Sequence, residues 1–268
     1  MSPRTPAVKQ GRGVKLVQVS PPVKGPEDTH TPPQTDIGID IIAIHGLDTA
    51  SPQTWEFKKD DGQRINWLAD KHMLPAEVPG TRIFTCDWPA ELLETKDSVS
   101  LRIEELALSL LQGILGSSRQ RSRPILFIAS CLGGIILMQA LVETKDEYAS
   151  IREATRGVIF LATPFRGTSF QEVAMWALPG LRVRAAVRGK EVSKLLDYLN
   201  APTFDLTRLV GKFTRLCKSP DHEGFQVFTF YETGYTNLAT QASFLSFILP
   251  GSKKQVRTFL LPFMPLIH

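Results

Sequence analysis

An α/β fold built on one mostly parallel sheet is what the sequence predicts, and three observations carry the prediction. From Ile37 onward short β-rich runs alternate with longer amphipathic stretches, the βαβα rhythm of a parallel sheet. Two of the runs, Pro124–Ala129 and Gly157–Ala162, are apolar on consecutive positions, as strands buried on both faces must be. A length of 268 residues, 43% hydrophobic and 22% charged, suits one large α/β domain with short flanks.

Residues 1–35 carry Pro3, Pro6, Pro21, Pro22, Pro26, Pro32 and Pro33, which block helix on both sides of one short β-rich run, Val14–Val19. They read as a flexible Pro-rich arm whose strand is suited to a sheet edge. The main domain, residues 36–235, then opens with Ile37–Ile44 and Arg82–Cys86 as strands. Ser98–Leu115 repeats apolar residues at Leu101, Leu108, Leu111 and Leu115, with Arg102, Glu104 and Glu105 for an exposed face, so a helix on the sheet is expected. Leu132–Glu143 is apolar almost all round and predicts a buried helix after the central strand Pro124–Ala129. Gly157–Ala162 follows as the neighbouring central strand. Glu191–Leu199 and Phe204–Cys217 look helical and are placed by chain position as a small cap over the strand ends. Phe225–Tyr231 is the last strand, and residues 236–268 form a divergent or truncated C-terminal segment.

The balance of 31 Lys+Arg against 27 Asp+Glu leaves +4, too slight an excess to name a nucleic-acid partner. Cys86, Cys131 and Cys217 include no CxxC pair, which argues against a zinc site and a secreted disulfide framework and for a reducing, intracellular compartment. The first residues hold no apolar stretch typical of a secretory leader. The longest apolar stretch, Thr258–Ile267, holds two prolines and is far shorter than the roughly 18–20 residues a bilayer requires. Neither a GxxxxGK[ST] loop nor a GxGxxG fingerprint is present, so no nucleotide, other cofactor or metal is expected.

The segment Pro124-Ile-Leu-Phe-Ile-Ala-Ser-Cys-Leu-Gly-Gly134 runs from a buried strand through small residues straight into a helix, the layout of a nucleophile elbow. Such a turn needs small residues two before and two after its centre. With Ser130 central these would be Ile128 and Leu132; with Cys131 central they are Ala129 and Gly133, which sets the register. A thiolate is intrinsically more nucleophilic than a hydroxyl, and the following helix N-terminus is expected to lower the thiol pKa. The amide of Leu132 would face the developing oxyanion. The bland account of Cys131 is a small buried core residue, as free cysteines often are. The second landmark is Ile41-Ile-Ala-Ile-His-Gly-Leu-Asp48, where Gly46 lets the loop approach the elbow and Leu47 supplies a second amide. His45 precedes the nucleophile, whereas the base of this architecture follows it, so we read His45 as shaping the loop.

These pieces resemble the α/β-hydrolase superfamily, which has a mostly parallel sheet with helices on both faces. Within it the chain is similar to the lipase-like group of serine-active-site-containing proteins and to the hydrolase-like N-terminal domains of fungal NOD-like receptors. The resemblance rests on Ile44-His-Gly-Leu47, Thr54-Trp55, Asn66-Trp-Leu68, Arg82-Ile-Phe-Thr-Cys-Asp-Trp88, the elbow, Gly157-Val-Ile-Phe-Leu-Ala-Thr-Pro-Phe-Arg-Gly-Thr168 and Phe230-Tyr-Glu232.

The chain departs from the group in three places. Cys131 stands where the group's commoner elbow has serine, as in dienelactone-hydrolase-like relatives. Phe165 replaces a histidine in the group's Thr-Pro-His-Arg-Gly. Residues 233–268 lack the Asp-His pair that carries the group's base, which leaves Glu232 as the acid by chain order and the terminal His268 as the only later histidine; Asp221 and His222 fit the order worse. A terminal residue is normally frayed, which counts against His268 as a base.

The resemblance implies an ester or thioester hydrolase, lipid-type, acting through an acyl-enzyme, and its rival is a catalytically impaired module for signalling or protein interaction. It implies a small ester or lipid substrate, a protein partner for the rival, and a mitochondrial or endoplasmic-reticulum membrane association for one branch and cytosol for the other. The stretch Phe244–Pro250 beside Lys253, Lys254 and Arg257 reads as core first and peripheral membrane contact second. The basic run Arg166, Arg182, Arg184, Arg188 reads as a solvated face before an anionic-lipid or acyl-substrate site.

Overall fold

The computed structural model describes residues 14–21, 38–47, 49–91, 93–94, 102–117, 119, 123–143, 146–165, 186–187, 189–200, 204–218 and 224–230. Ten strands are found among them: β1 Lys15–Ser20, β2 Asp40–Ile44, β3 Glu56–Lys58, β4 Arg64–Asn66, β5 Arg82–Asp87, β6 Leu93–Glu94, β7 Ile125–Ser130, β8 Thr155–Leu161, β9 Glu191–Val192 and β10 Gln226–Phe230. The described helices are α1 Leu74–Glu77, α2 Ile103–Gly116, α3 Leu132–Val142, α4 Ala149–Ala154, α5 Lys194–Asn200 and α6 Leu206–Cys217.

Six strands form the central sheet in the order β1, β5, β2, β7, β8, β10. Every neighbouring pair is parallel except β1 with β5, so the strand of the N-terminal arm is the antiparallel edge strand its sequence suits. The two consecutively apolar runs are β7 and β8, adjacent, parallel and internal, as predicted. All five residues of β2 are buried.

Alternation along the strands divides the core in two. One face presents Ile42, Ile44, Phe84, Cys86, Phe127, Ala129, Val158 and Phe160 to α2, α3 and α6. The other presents Ile41, Ala43, Ile83 and Ile128 to Trp55, Leu68, Trp67 and Leu74. Helices were expected on both faces; on the second, the described cover is the β3–β4 hairpin region and the single turn α1.

The helices begin where polar groups meet their free amides. The Glu105 carboxylate accepts the Arg102 N–H at 2.8 Å ahead of α2, and Asp205 accepts the Arg208 N–H at 2.8 Å at the start of α6. The expected helix over residues 98–115 begins at Ile103 among the described residues.

Two expectations are corrected. Glu191–Val192 is a two-residue strand paired with Leu93–Glu94, and the helix starts at Lys194. The segments assigned to a cap belong to the core: Leu195, Leu199, Leu206, Leu209 and Phe213 are buried with α2 and α3, and Tyr198 donates to Glu104 of α2 at 2.6 Å. Their apolar stripes have a whole helical layer to bury against, which stabilises them more than standing over the strand ends would. Residues 1–13, 22–37, 166–185, 188, 219–223 and 231–268 lie outside the described residues, and with them most of the Pro-rich arm, Asp221 and His222, the four arginines of the basic run and the C-terminal segment.

At the N-terminal ends of the parallel strands Asp40, fully buried, holds three guanidinium groups together. Arg82 binds it through two nitrogens at 2.9 and 3.0 Å, Arg123 at 3.0 Å and Arg119 at 3.6 Å. Arg123 also donates to the Gly80 carbonyl at 3.0 Å, so one carboxylate ties β2, β5 and the chain entering β7. This end is an electrostatic anchor; the chemistry-bearing residues stand at the opposite one.

Candidate active site

The turn between β7 and α3 has a single residue at its centre, Cys131, with φ 50° and ψ −123°. Positive φ costs a non-glycine residue energy and persists only where neighbouring structure enforces it. Here the Cys131 N–H donates to the Leu161 carbonyl of β8 at 2.8 Å. The next strand repeats the stitch: Ala162, also at φ 50°, donates to the Phe230 carbonyl of β10 at 2.8 Å.

The size rule that set the register holds in three dimensions. A Cβ on Gly133 would fall 2.4 Å from the His45 carbonyl oxygen, and one on Gly46 would fall 2.9 Å from the Cys131 Cβ. Both glycines are therefore needed for close approach, and Ala129 is fully buried beneath the turn. The amides of Leu132 and Leu47 both lie near enough to the Cys131 sulfur to favour its anion.

The packing around the thiol opposes the ionisation that the sequence suggested. Cys131 is partly exposed as a residue, yet burial of its sulfur pushes the thiol above its ordinary value, and the two amides only partly offset this. Cys131 directly precedes α3, where the helix terminus favours the anion, but loss of water acts against the charged form and outweighs it. Cys86 is buried in β5 and pushed up further by Asp87, and Cys217 is raised by burial to about 12.

His45 is a structural clamp. It is 1% exposed, and its imidazole stacks on Trp88 with centroids 5.5 Å apart and planes 10° from parallel. A neutral ring with its proton on Nδ1 donates to the Gly46 carbonyl at 2.9 Å and accepts the Trp88 N–H on Nε2 at 3.4 Å. The Trp88 indole N–H returns to the His45 carbonyl at 2.9 Å. Burial lowers the His45 pKa, although the Gly46 carbonyl, Asp87 and Glu91 oppose it. The loop carrying Leu47 is thus fixed from both sides.

Asp87 and Trp88 received no role from the sequence. Asp87 accepts the Ser51 N–H at 3.1 Å and stands 3.5 Å from His45 Nε2, while Trp88 holds His45. Their position immediately past the apolar run of β5, at the C-terminal ends of the strands where such sheets place their sites, was the available signal. Phe165 meets Phe160 edge-on at 5.1 Å and packs against the core, so the aromatic ring that replaces a polar residue joins the hydrophobic layer. Glu232 and His268 lie outside the described residues. Among the described residues no group of three or more His, Cys, Asp or Glu side chains is placed to hold a metal ion.

No family model matches the chain. It is similar to Protein SERAC1 of Homo sapiens, 28% identical over 220 residues that cover 74% of this chain and 30% of that protein. Protein SERAC1 of Danio rerio is 24% identical over 160 residues, 52% of this chain and 24% of that protein. The chain therefore spans less than a third of the length of these curated relatives. Among solved structures, a Bacillus licheniformis lipase, BlEst2, is 17% identical with a TM-score of 0.49, covering 87% of this chain and 79% of that one. A metagenomic carboxyl esterase, MGS0156, is 14% identical with a TM-score of 0.40, covering 73% of this chain and 50% of that one. A mostly parallel sheet, a strand–Cys131–helix turn at positive φ and a His45-Gly46 loop pressed against that turn are the parts of one architecture: the chain has an α/β-hydrolase fold.

Proposed function

We propose that this protein transfers acyl groups from esters or thioesters, with Cys131 as nucleophile and the amides of Leu47 and Leu132 as the oxyanion hole. The observation that supports this reading is the elbow itself: Cys131 stands at positive φ between β7 and α3, with the Gly46 loop packed against its side chain. The thiolate adds to the acyl carbonyl, the carbonyl oxygen takes the developing charge and the two N–H groups, and collapse expels the alkoxide or thiolate leaving group to form an S-acyl cysteine. Water then attacks that thioester, with a base removing its proton, and releases the acid and the free thiol. Glu232 and His268 are the acid and base that chain order offers for that step. The substrate class is a small ester or lipid, with peripheral membrane contact and an intracellular site as parts of the same proposal.

One observation favours a second reading, a hydrolase-like module with impaired chemistry used for protein interaction. Burial holds the Cys131 thiol in its protonated form near neutral pH, which slows attack. Labelling with an acyl-directed and a thiol-directed activity probe, compared between wild type and Cys131→Ala, separates the two. Labelling by both probes that vanishes in the variant supports the enzyme. Wild-type protein inert to the acyl probe supports the module.

A further inference from the structure

Among the described residues Cys131 and Ala162 are the two non-glycine residues at positive φ, both at 50°. They also stand opposite each other. In a parallel pair a residue donates to the carbonyl just before its partner, so the 2.8 Å bond from the Cys131 N–H to the Leu161 carbonyl sets Cys131 against Ala162, one step past the Ser130–Leu161 pair. A strand spacing of about 4.8 Å makes Ala162 the lateral neighbour of the elbow thiol. Ala162 is exposed, yet its backbone is held from both ends. Its N–H donates to the Phe230 carbonyl at 2.8 Å, and the next residue, Thr163, is fully buried with its side chain pressed on Gly134 in the first turn of α3, where a Cβ has no room. Glycine would hold φ 50° at lower cost. An exposed side chain kept in strained backbone beside a nucleophile points to a use for its methyl group.

We propose that Ala162 is the wall that sets which acyl-chain lengths Cys131 accepts. The proposal rests on the acyl-transfer reading above and deepens it. The sheet runs β2, β7, β8, so Leu47, just past the end of β2, and Ala162, at the end of β8, flank the elbow on opposite sides. An acyl carbon bonded to the sulfur, with its oxygen turned to the amides of Leu47 and Leu132, directs its other substituents away from β2 and toward β8. The leaving group departs into water. The substituent that stays beside Ala162 is therefore the acyl chain. A methyl group gives that chain an apolar contact and leaves it room, whereas a longer side chain on the same Cα fills the space the chain would take. The substrates this geometry fits are esters or thioesters whose acyl chain extends several carbons past the carbonyl.

Burst rates of Cys131 acylation by p-nitrophenyl acetate and p-nitrophenyl octanoate, located by peptide mass, test it in the full chain, in Ala162→Gly and in Ala162→Leu. The ratio of octanoyl to acetyl rate is read within each variant, so a change in the folded fraction cancels. Ala162→Leu is unbranched at Cβ and keeps the backbone cost of alanine, while Ala162→Gly lowers it; if the leucine variant does not fold, the glycine variant decides alone. Ala162→Leu is expected to lower the ratio by about tenfold or more, and Ala162→Gly to raise it by about twofold or more. Acetyl esters of p-nitrophenol and of the bulkier 4-methylumbelliferone should keep their relative rates in every variant. An unchanged octanoyl-to-acetyl ratio in a folded variant, or a change that follows the leaving group instead, would overturn the proposal and leave Cys131 acylation standing. Failure of both esters to acylate Cys131 in the unaltered protein would overturn the acyl-transfer reading, and this proposal with it.

Discussion

Gly46 and Cys131 are in such close contact that a Cβ at position 46 would stand 2.9 Å from the Cys131 Cβ and 3.7 Å from its sulfur. The loop that brings the Leu47 amide and the turn that presents the thiol are packed as one unit, so a methyl group between them must separate them. Gly46→Ala is expected to leave the protein folded and to reduce acyl-probe labelling at Cys131 by tenfold or more on the order of one lost oxyanion-hole donor. Thermal unfolding and labelling measured together check this, and unchanged labelling would contradict it.

Gly133→Ala should act on folding instead, because its Cβ would meet a backbone carbonyl, that of His45, at 2.4 Å, and backbone cannot swing aside as a side chain tip can. A loss of about 1–3 kcal/mol, or failure to fold, is expected from overpacking at such a site. Urea denaturation gives the value, and a loss well under that range would show that α3 shifts easily.

The acid side of the stability profile should report His45. Its pKa is lowered in the folded protein because burial disfavours the imidazolium. As pH falls through about 6.5 the unfolded chain takes up a proton that the folded chain refuses, so stability is full above that pH and declines below it. Urea midpoints at pH 7.5 and 5.5 should differ more in wild type than in His45→Gln. Equal differences would show that His45 charges freely in the folded state.

How far the sequence could be read depended on the range of the interactions involved. β7 and β8 were legible because burial on both faces leaves a consecutive apolar run, and the elbow register was legible because only Ala129 and Gly133 are small enough. An apolar stripe says that a helix packs, and is silent on what it packs against, so α5 and α6 were placed over the strand ends when they belong beside α2 and α3. The thiol of Cys131 was misjudged for a similar reason: the helix that favours its anion is local and visible, while the packing that removes water from the sulfur comes from distant parts of the chain. Glu232 and His268 lie outside the described residues, so their roles stand on chain order alone.

Alkylation should expose that balance at Cys131. With the thiol raised by burial, its reaction with iodoacetamide is expected to keep accelerating with pH beyond the ordinary thiol value of about 8.5. Site-resolved rates from pH 7 to 10 check it. A plateau below pH 8 would mean that the amides of Leu47 and Leu132 outweigh burial.

Asp40→Asn should destabilise the protein by about 3–5 kcal/mol, since it leaves buried guanidinium groups without their shared carboxylate. Because the cluster lies at the far end of the strands from Cys131, probe labelling of whatever fraction remains folded should match wild type. A variant as stable as wild type would show that the carboxylate is not the anchor.

The most direct measurement is the intact mass of the protein after brief incubation with a short-chain chromogenic ester, followed by peptide mapping. One added acyl group, located on Cys131, is expected, appearing as a burst of chromophore with slow or no steady release, and absent in both Cys131→Ala and Cys131→Ser. An acyl group on another residue, or a burst that persists in Cys131→Ala, would contradict it and remove the elbow from the chemistry.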